Sequence, residues 1–291
     1  MKPYLKTKDF SVTGESFELL HDSELDMLVT HPKPKKLDVY YASKEYISHT
    51  DSNESFVNQV YQLVKKFSLR SKLSLVSKYA SDNKSLLDIG AGTGDFALTA
   101  KRSGWSAFGV EPNVDARLRS REKRMELVSD ISELPRRKYQ VITLWHVLEH
   151  LPNLESDIAR IKNLLEDDGT LVIAVPNFKS KDAEHYQEHW AAYDVPRHLW
   201  HFSATAIERL FQKHEMQLIK KRPMWFDAFY VSLLSEKYKS GKQNLVKAFF
   251  QGLKSNWHGI RTGEFSSVIY IDTILLASLF LISSKMARVQ C

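Results

Sequence analysis

Cysteine is almost missing from this chain: there is one in 291 residues, Cys291. A lone thiol can close no internal disulfide and build no thiolate zinc site, which excludes the disulfide-stapled classes and agrees with a reducing compartment. Long apolar runs are scarce as well. The most membrane-like stretch, Val268 to Ile282, is shorter than the roughly 20 residues a spanning helix needs, and Asp272 interrupts it. Met1 to Phe10 is charged rather than apolar, so no secretory signal is expected there. Charge of one sign is not abundant either. A formal net charge of +6 suits an anionic substrate, a nucleic acid or an acidic membrane surface without selecting among them. Internal repeats and low-complexity segments are absent.

With 43% hydrophobic and 26% charged residues, a packed core is expected. The length suits one large domain with insertions or with a small appendage. Residues 1–50 read as short strands and turns, with Pro32 and Pro34 among lysines marking a loop and Tyr40, Tyr41 and Tyr46 close behind. Phe56, Val60, Leu63 and Phe67 recur at helical spacing, with Asp51 or Ser52 as N-cap. From Ser85 short apolar runs alternate with helical stretches. The runs are Leu86–Ile89, Ala107–Val110, Glu126–Val128, Val141–Trp145 and Thr170–Val175, and Asp167-Asp168-Gly169 reads as a turn before the last. This alternation predicts βαβ units and a doubly wound parallel sheet. Beyond Val175 the regularity fades into a loop or lid over 176–205. Helices are expected at Ala204–Lys213, Phe226–Tyr238 and Leu245–Leu253, and strands at Met216–Lys220 and Ser266–Ile271.

The strongest local signal is Leu86-Leu87-Asp88-Ile89-Gly90-Ala91-Gly92-Thr93-Gly94-Asp95-Phe96. A buried strand ends in a glycine turn that opens a helix, at the strand end where open α/β sheets bind ligands. The dinucleotide fingerprint G-x-G-x-x-G is not met: the third glycine falls one residue early and Asp95 takes the last place. Asp88 ahead of the loop would pair better with a cationic amino acid than with a pyrophosphate. Glu111 follows the second strand about 20 residues on, where a carboxylate accepts from both ribose hydroxyls. Asp130 and Ile131, after the third run, are placed to bracket an adenine; a turn or cap is the other role for that aspartate.

From Leu86 to Asn177 the chain resembles the class I S-adenosylmethionine-dependent methyltransferases. The resemblance rests on Leu-Asp-Ile-Gly-Ala-Gly-Thr-Gly, Gly-Val-Glu-Pro, Ile-Thr-Leu-Trp-His-Val-Leu-Glu-His-Leu and Gly-Thr-Leu-Val-Ile-Ala-Val-Pro-Asn. It implies an α/β, Rossmann-like seven-stranded sheet with the last strand antiparallel, and S-adenosyl-L-methionine as cofactor. The implied cofactor contacts are Asp88, Gly90, Ala91, Gly92, Gly94, Glu111, Pro112, Asp130, Ile131, Leu144 and His146. Pro32-Lys33-Pro34 and Tyr40-Tyr41 also resemble the segment that follows a zinc knuckle in bacterial sugar, polyketide-like and quinone methyltransferases. No cysteines precede it here, so residues 1–50 are expected to be a metal-free appendage. The methyltransferase domain is expected at 51–271 with lid insertions at 177–205 and 223–264, and an apolar tail at 272–291.

Trp145-His146-Val147-Leu148-Glu149-His150-Leu151 leaves the fourth strand; were it helical, His146, Glu149 and His150 would share a face. With His198 or His201 they form either a mixed imidazole–carboxylate metal site or a metal-free cleft wall. The metal-free reading is the expectation, with His150 and His198 as general bases and activity indifferent to chelators. Some ubiquinone-pathway and small-RNA 2′-O-methyltransferases resemble the metal layout. Trp190, Tyr193, Trp200, Phe202, Trp225, Phe226, Phe229 and Tyr230 either line a lid over a planar acceptor or form a secondary core. Arg117, Arg121 and Arg124 read as a solvated helix face rather than a phosphate site.

The expected activity is methyl transfer to an O or N acceptor on a small molecule, a saccharide or a lipid-linked glycan. A cofactor-binding but non-catalytic interaction or RNA-binding module is the alternative, and nucleic acid is the less favoured partner. The setting is expected to be cytoplasmic, with the tail as a contact to the inner face of the membrane.

Overall fold

The computed structural model describes residues 1–41, 56–80, 83–242 and 244–274. The helix cap expected at Asp51 or Ser52 and most of the C-terminal tail lie outside them.

A six-stranded sheet has the order β5-β4-β6-β7-β10-β9. Its strands are β4 (Ser85–Ile89), β5 (Ser106–Val110), β6 (Tyr139–Trp145), β7 (Leu165–Pro176), β9 (Met216–Pro223) and β10 (Ser267–Ile274). β4 pairs in parallel with β5 and β6, and β6 with β7, whereas β10 runs antiparallel to both β7 and β9. The α/β class and the antiparallel last strand are as expected. The seventh strand, expected at Glu126–Val128, is reduced to one parallel bridge between Val110 and Val128. That run is too short to hold a ladder, because the chain turns at Asp130 into a 3-10 turn (Ile131–Glu133).

Alternate residues of each strand face opposite layers. Leu86, Val141, Val172, Ile269 and Ile271 pack with Leu75 and Val76 of α1 (Phe56–Val76) and with Phe96 and Ala100 of α2 (Asp95–Arg102). Leu87, Ile142, Ile173 and Tyr270 face the other way, toward Ile158 and Ile161 of α4 (Leu154–Leu164) and Ile207, Leu210 and Phe211 of α6 (Ala204–Lys213). Helix α3 (Val114–Glu122) follows β5 and is capped by Asn113, whose side chain accepts from Ala116. The Asp167-Asp168-Gly169 turn is absorbed into β7. Tyr139 pairs with Leu165 but Val141 with Thr170, so Glu166–Gly169 bulge out of the ladder.

The first residues form a second sheet, β1 (Lys2–Lys8), β2 (Ser16–Asp22) and β3 (Met27–His31), closed by β8 (Trp200–His201) from far along the chain. It encloses its own core with α5 (Lys181–Tyr186): Phe17, Leu19, Leu28 and Tyr40 meet Tyr186, Trp190 and Tyr193. Of the aromatics after β7, Trp190, Tyr193 and Phe202 are therefore core. Trp190 and Tyr193 are each 2% exposed, whereas Trp225 and Phe226 are 44% and 47% exposed. Two more helices, α7 (Asp227–Ser240) and α8 (Leu245–Thr262), lie between β9 and β10. The helix expected at Leu245–Leu253 continues to Thr262, through Gly252, Ser255, Asn256 and Gly259, which are buried. Among the described residues no helix is long and apolar enough to cross a membrane.

Candidate functional site

The glycine turn closes the carboxyl end of β4. Gly90, Gly92 and Gly94 all adopt positive φ (68°, 54° and 74°), which disfavours any side chain. Their surroundings differ. A Cβ on Gly90 would lie 2.3 Å from Val147 and one on Gly94 2.3 Å from the Ser120 hydroxyl, whereas one on Gly92 would meet nothing within 4 Å. Gly90 and Gly94 thus let elements close up, and Gly92 bares its backbone to open space. Gly90 and Ala91 both donate to the Val110 carbonyl, at 2.8 and 2.9 Å, fastening the loop to β5.

Glu111 stands across that opening. One carboxylate oxygen accepts from the Gly92 N–H at 2.8 Å and the other from the Asn113 N–H at 2.9 Å. Each oxygen keeps a further lone pair for a hydroxyl donor. Pro112 extends the turn, where the Arg117 guanidinium is spent on the Glu111 and Pro112 carbonyls. Asp88 is 2% exposed and accepts from the Thr143 hydroxyl at 2.6 Å. Burial pushes its carboxyl up to about 7, against the opposing pull of Thr143 and Lys72. Leu144, one residue before the end of β6, is fully buried and pairs with Ile89 in the ladder. Asp130 caps the following 3-10 turn by accepting from Ser132 N–H at 2.8 Å, with Ile131 opening that turn. Asp95 is bound up in ion pairs with Lys65 and Lys123 at 2.8 and 2.9 Å.

The donor set fits an adenosyl amino acid. A buried carboxyl with a raised pKa awaits a cation, a bare glycine backbone admits close approach, and a carboxylate on the rim has lone pairs for vicinal hydroxyls. Because an ammonium pairs with the ionised form of Asp88, affinity for S-adenosylhomocysteine is expected to rise about five- to tenfold from pH 6 to pH 7.5. Calorimetry across that range checks it, and Asp88→Asn should flatten the profile.

His146 leaves β6 in a left-handed conformation (φ 57°) and the chain then forms a 3-10 turn, Leu148–His150. The helical geometry considered for this stretch is therefore not adopted. The left-handed residue turns the imidazole toward Asp227 at the start of α7, with Nε2 2.9 Å from its carboxylate and Nδ1 3.4 Å from Glu149. Burial alone would lower its pKa, but the two acids raise it to about 10, so His146 is an imidazolium at neutral pH.

His150 and His198 lie against each other, ring centroids 4.6 Å apart. A peptide carbonyl only accepts. His150 therefore carries its proton on Nδ1, donated to the Arg197 carbonyl at 3.0 Å, and His198 donates from Nδ1 to the Ala192 carbonyl at 2.9 Å. His150 Nε2 is left with a lone pair, while His198 Nε2 lies 4.0 Å from the carboxylates of Glu149 and Asp194. Burial and the neighbouring His198 lower the His150 pKa to about 4. Glu149 is 1% exposed, and neither of its oxygens has a hydrogen-bond partner. Burial pushes its carboxyl up, but the surrounding histidines outweigh it and hold the group ionised. Glu149, His150 and His198 bring one ligand atom each within 4.8 Å of one another. His201 is turned away, 3.0 Å from the Thr30 hydroxyl.

Lys72 and Arg197 carry no local sequence signal, and Tyr41 figures there only within the Tyr40-Tyr41 segment. The Tyr41 hydroxyl lies 3.1 Å from His150 and feels the charges of both Glu149 and Glu111. The Lys72 ammonium of α1 rests over the Trp145 ring at 4.3 Å, within electrostatic range of Asp88 and Asp227. It opens into a cavity of about 330 Å³, walled by Phe67, Ser68, Met224, Trp225, Phe226 and Asp227. Arg197, also unanticipated, is 1% exposed. It binds Asp194, Asp9 and the Tyr40 carbonyl at 2.6, 2.9 and 2.8 Å, holding the second sheet against the histidine loop.

Comparison with known proteins places this arrangement. Residues 59–221 match a family model described as a methyltransferase domain. A ubiquinone biosynthesis O-methyltransferase of Glaesserella parasuis is 32% identical over 112 residues, 34% of this chain and 48% of that enzyme. The chain thus spans about half the length of this curated relative. Among solved structures, magnesium protoporphyrin IX methyltransferase of Synechocystis PCC 6803 with bound S-adenosylhomocysteine superposes with a TM-score of 0.53. It is 12% identical, over 81% of this chain and 96% of that one. The putative methyltransferase complexed with the Trm112 activator of Haloferax volcanii gives a TM-score of 0.50 at 12% identity, over 74% and 93% of the two chains.

Proposed function

We propose, for a chain that belongs to the class I S-adenosylmethionine-dependent methyltransferases, that the methyl acceptor is an oxygen or nitrogen on a small molecule, a saccharide or a lipid-linked glycan. Asp88, Gly90, Ala91, Gly92, Gly94, Glu111 and Pro112 would hold the cofactor's amino acid and ribose, with Asp130, Ile131, Leu144 and His146 at the margins. The bound cofactor supplies an electrophilic methyl on a sulfonium. The protein is left to place the acceptor and to take up its proton.

The observation that carries this reading is the histidine pair on the turn beside the cofactor loop. O- or N-methylation releases a proton, and His150, kept unprotonated by burial, presents a free Nε2, with His198 packed against its ring as the second candidate base. His146 is already protonated and serves as a fixed charge that holds Asp227 and Glu149 in place. The cavity beside Lys72, walled by Phe67, Trp225 and Phe226, suits an acceptor with a planar apolar body. An oxygen acceptor agrees with the name of the Glaesserella parasuis relative. The scarcity of cysteine supports a cytoplasmic setting.

A second reading has its own observation. The two Glu149 oxygens, which accept no hydrogen bond, and the three converging ligand atoms suit a divalent ion that would acidify an acceptor hydroxyl. One experiment separates these readings. Transfer of labelled methyl to fractionated cell material should mark small-molecule, glycan or lipid fractions and be indifferent to chelators. Chelator loss restored by a divalent ion would establish the metal reading. Cofactor binding with no labelled fraction, or label in RNA alone, would overturn the proposed acceptor class.

A further inference from the structure

Helix α8 is built inside out. It buries Ala248, Gln251, Gly252, Ser255, Asn256 and Gly259. It exposes Leu245, Val246, Phe249, Phe250, Leu253, Trp257 and Ile260, each between 43% and 68%. At about 100° per residue these seven fall within an arc of roughly 140°. Ordinary amphipathic packing would bury them.

The inversion is specified rather than accidental, because the buried polar face is satisfied. Ser255 donates to Asp182 at 2.8 Å, and that carboxylate also accepts from Trp190 and Ser266, at 2.9 and 2.6 Å. The Asn256 amide donates to the Trp225 carbonyl at 3.0 Å. Gly252 admits the Phe229 ring, which a Cβ would meet at 2.6 Å. Rotating the helix to bury its aromatics would take the Ser255 donor from the buried Asp182 Oδ1 and leave the Trp225 carbonyl unpaired. The apolar arc therefore faces outward by construction and far exceeds what scattered surface hydrophobics require.

Charge says what covers it. From Lys237 to Gly263 the chain has five lysines and one arginine and no aspartate or glutamate. On α8 itself, Lys247, Lys254 and Arg261 follow the apolar arc along one edge, at about 160–200° on the same wheel. Arg261 lies over the Trp257 ring at 5.2 Å. The nearest acid on the preceding helix, Glu236, is buried and reached by Lys247 at 3.5 Å. A second copy pressed face to face would set this cationic edge against itself with no acid on the helix to meet it. An anionic bilayer answers both features. Phe, Trp, Leu and Ile enter the headgroup–acyl boundary while the flanking lysines and arginine reach lipid phosphates.

We infer that α8 is a lipid-docking helix that seats this protein on an anionic membrane surface. The face is distinct from the C-terminal tail. It joins the α7 start, where exposed Trp225 and Phe226 also wall the cavity beside Lys72. The docked helix thus holds that cavity at the lipid boundary.

Flotation of the full-length protein with vesicles of phosphatidylcholine, with and without phosphatidylglycerol, tests this. Binding should be at least about tenfold stronger to the anionic vesicles and should weaken with added salt. Phe250→Ser with Trp257→Ser should reduce it about tenfold or more. Lys254→Gln with Arg261→Gln, which disturbs no buried contact, should reduce it about three- to tenfold. Unchanged circular dichroism and S-adenosylhomocysteine affinity would show that the variants fold. Failure of the wild type to float with anionic vesicles, or flotation that survives both pairs of substitutions, would overturn the assignment. So would a dimer in sedimentation equilibrium that Phe250→Ser with Trp257→Ser dissolves.

Discussion

Replacing Glu111 by alanine should weaken S-adenosylhomocysteine binding by about two orders of magnitude, equivalent to about 2.7 kcal/mol. The carboxylate has two tasks. It would accept from the ribose hydroxyls, and it already holds the Gly92 and Asn113 N–H groups at 2.8 and 2.9 Å. Hydrogen bonds to an ionised group are worth roughly 1.5–3 kcal/mol each, so losing the ligand bonds and slackening the loop accounts for the size. Glu111→Gln keeps one acceptor oxygen and should lose roughly tenfold. Isothermal calorimetry on both variants decides the matter. An alanine variant within about threefold of wild type would remove Glu111 from the cofactor site.

Arg197→Met should be the most destabilising change outside the sheet core, at roughly 3–5 kcal/mol. The guanidinium is 1% exposed; it ties Asp9 near the start of the chain to Asp194 on the histidine loop, at 2.9 and 2.6 Å. Burial alone would raise the Asp9 carboxyl, but Arg197 and the Thr13 and Ser11 donors bring it down to about 2. A depressed carboxylate contributes stability above its unfolded pKa and loses it as pH falls through the folded one. Without Arg197, Asp9 is left ionised and buried. A chain of this size should lose roughly 10 °C in melting temperature. Asp9→Asn combined with Arg197→Met should recover part of the loss, because the stranded charge is gone. Thermal melts of the two variants at pH 7 measure this. Equal melting temperatures for wild type and Arg197→Met would show that the network carries no stability.

What the sequence made legible was local. Gly90, Gly92, Asp88 and Glu111 sit within one strand–turn–helix and the next strand end, so their spacing together with the charge of Asp88 favoured an adenosyl amino acid over a dinucleotide. The strands from Leu86 to Val175 were readable because burial on both faces makes them almost wholly apolar. The pairings that complete the site were not, since a contact across the chain leaves no period. His146 finds Asp227, Arg197 finds Asp9, and Lys72 settles over Trp145. The third strand was overread because three apolar-flanked residues, Glu126–Val128, look like a short strand until the cap at Asp130 cuts them off. The orientation of helix α8 was not legible, because its apolar period marks the exposed face and its glycine and polar residues the buried one.

The small sheet that begins the chain has a consequence for how the molecule comes into being. β3 is completed by Val29 against Trp200 and Leu28 against His201, partners separated by most of the polypeptide. The edge of β3 stays open until that distant segment is in place. Non-local closures of this kind are the slow steps of folding. His198 is carried on the returning segment, so its ring meets that of His150 only once the small sheet is complete.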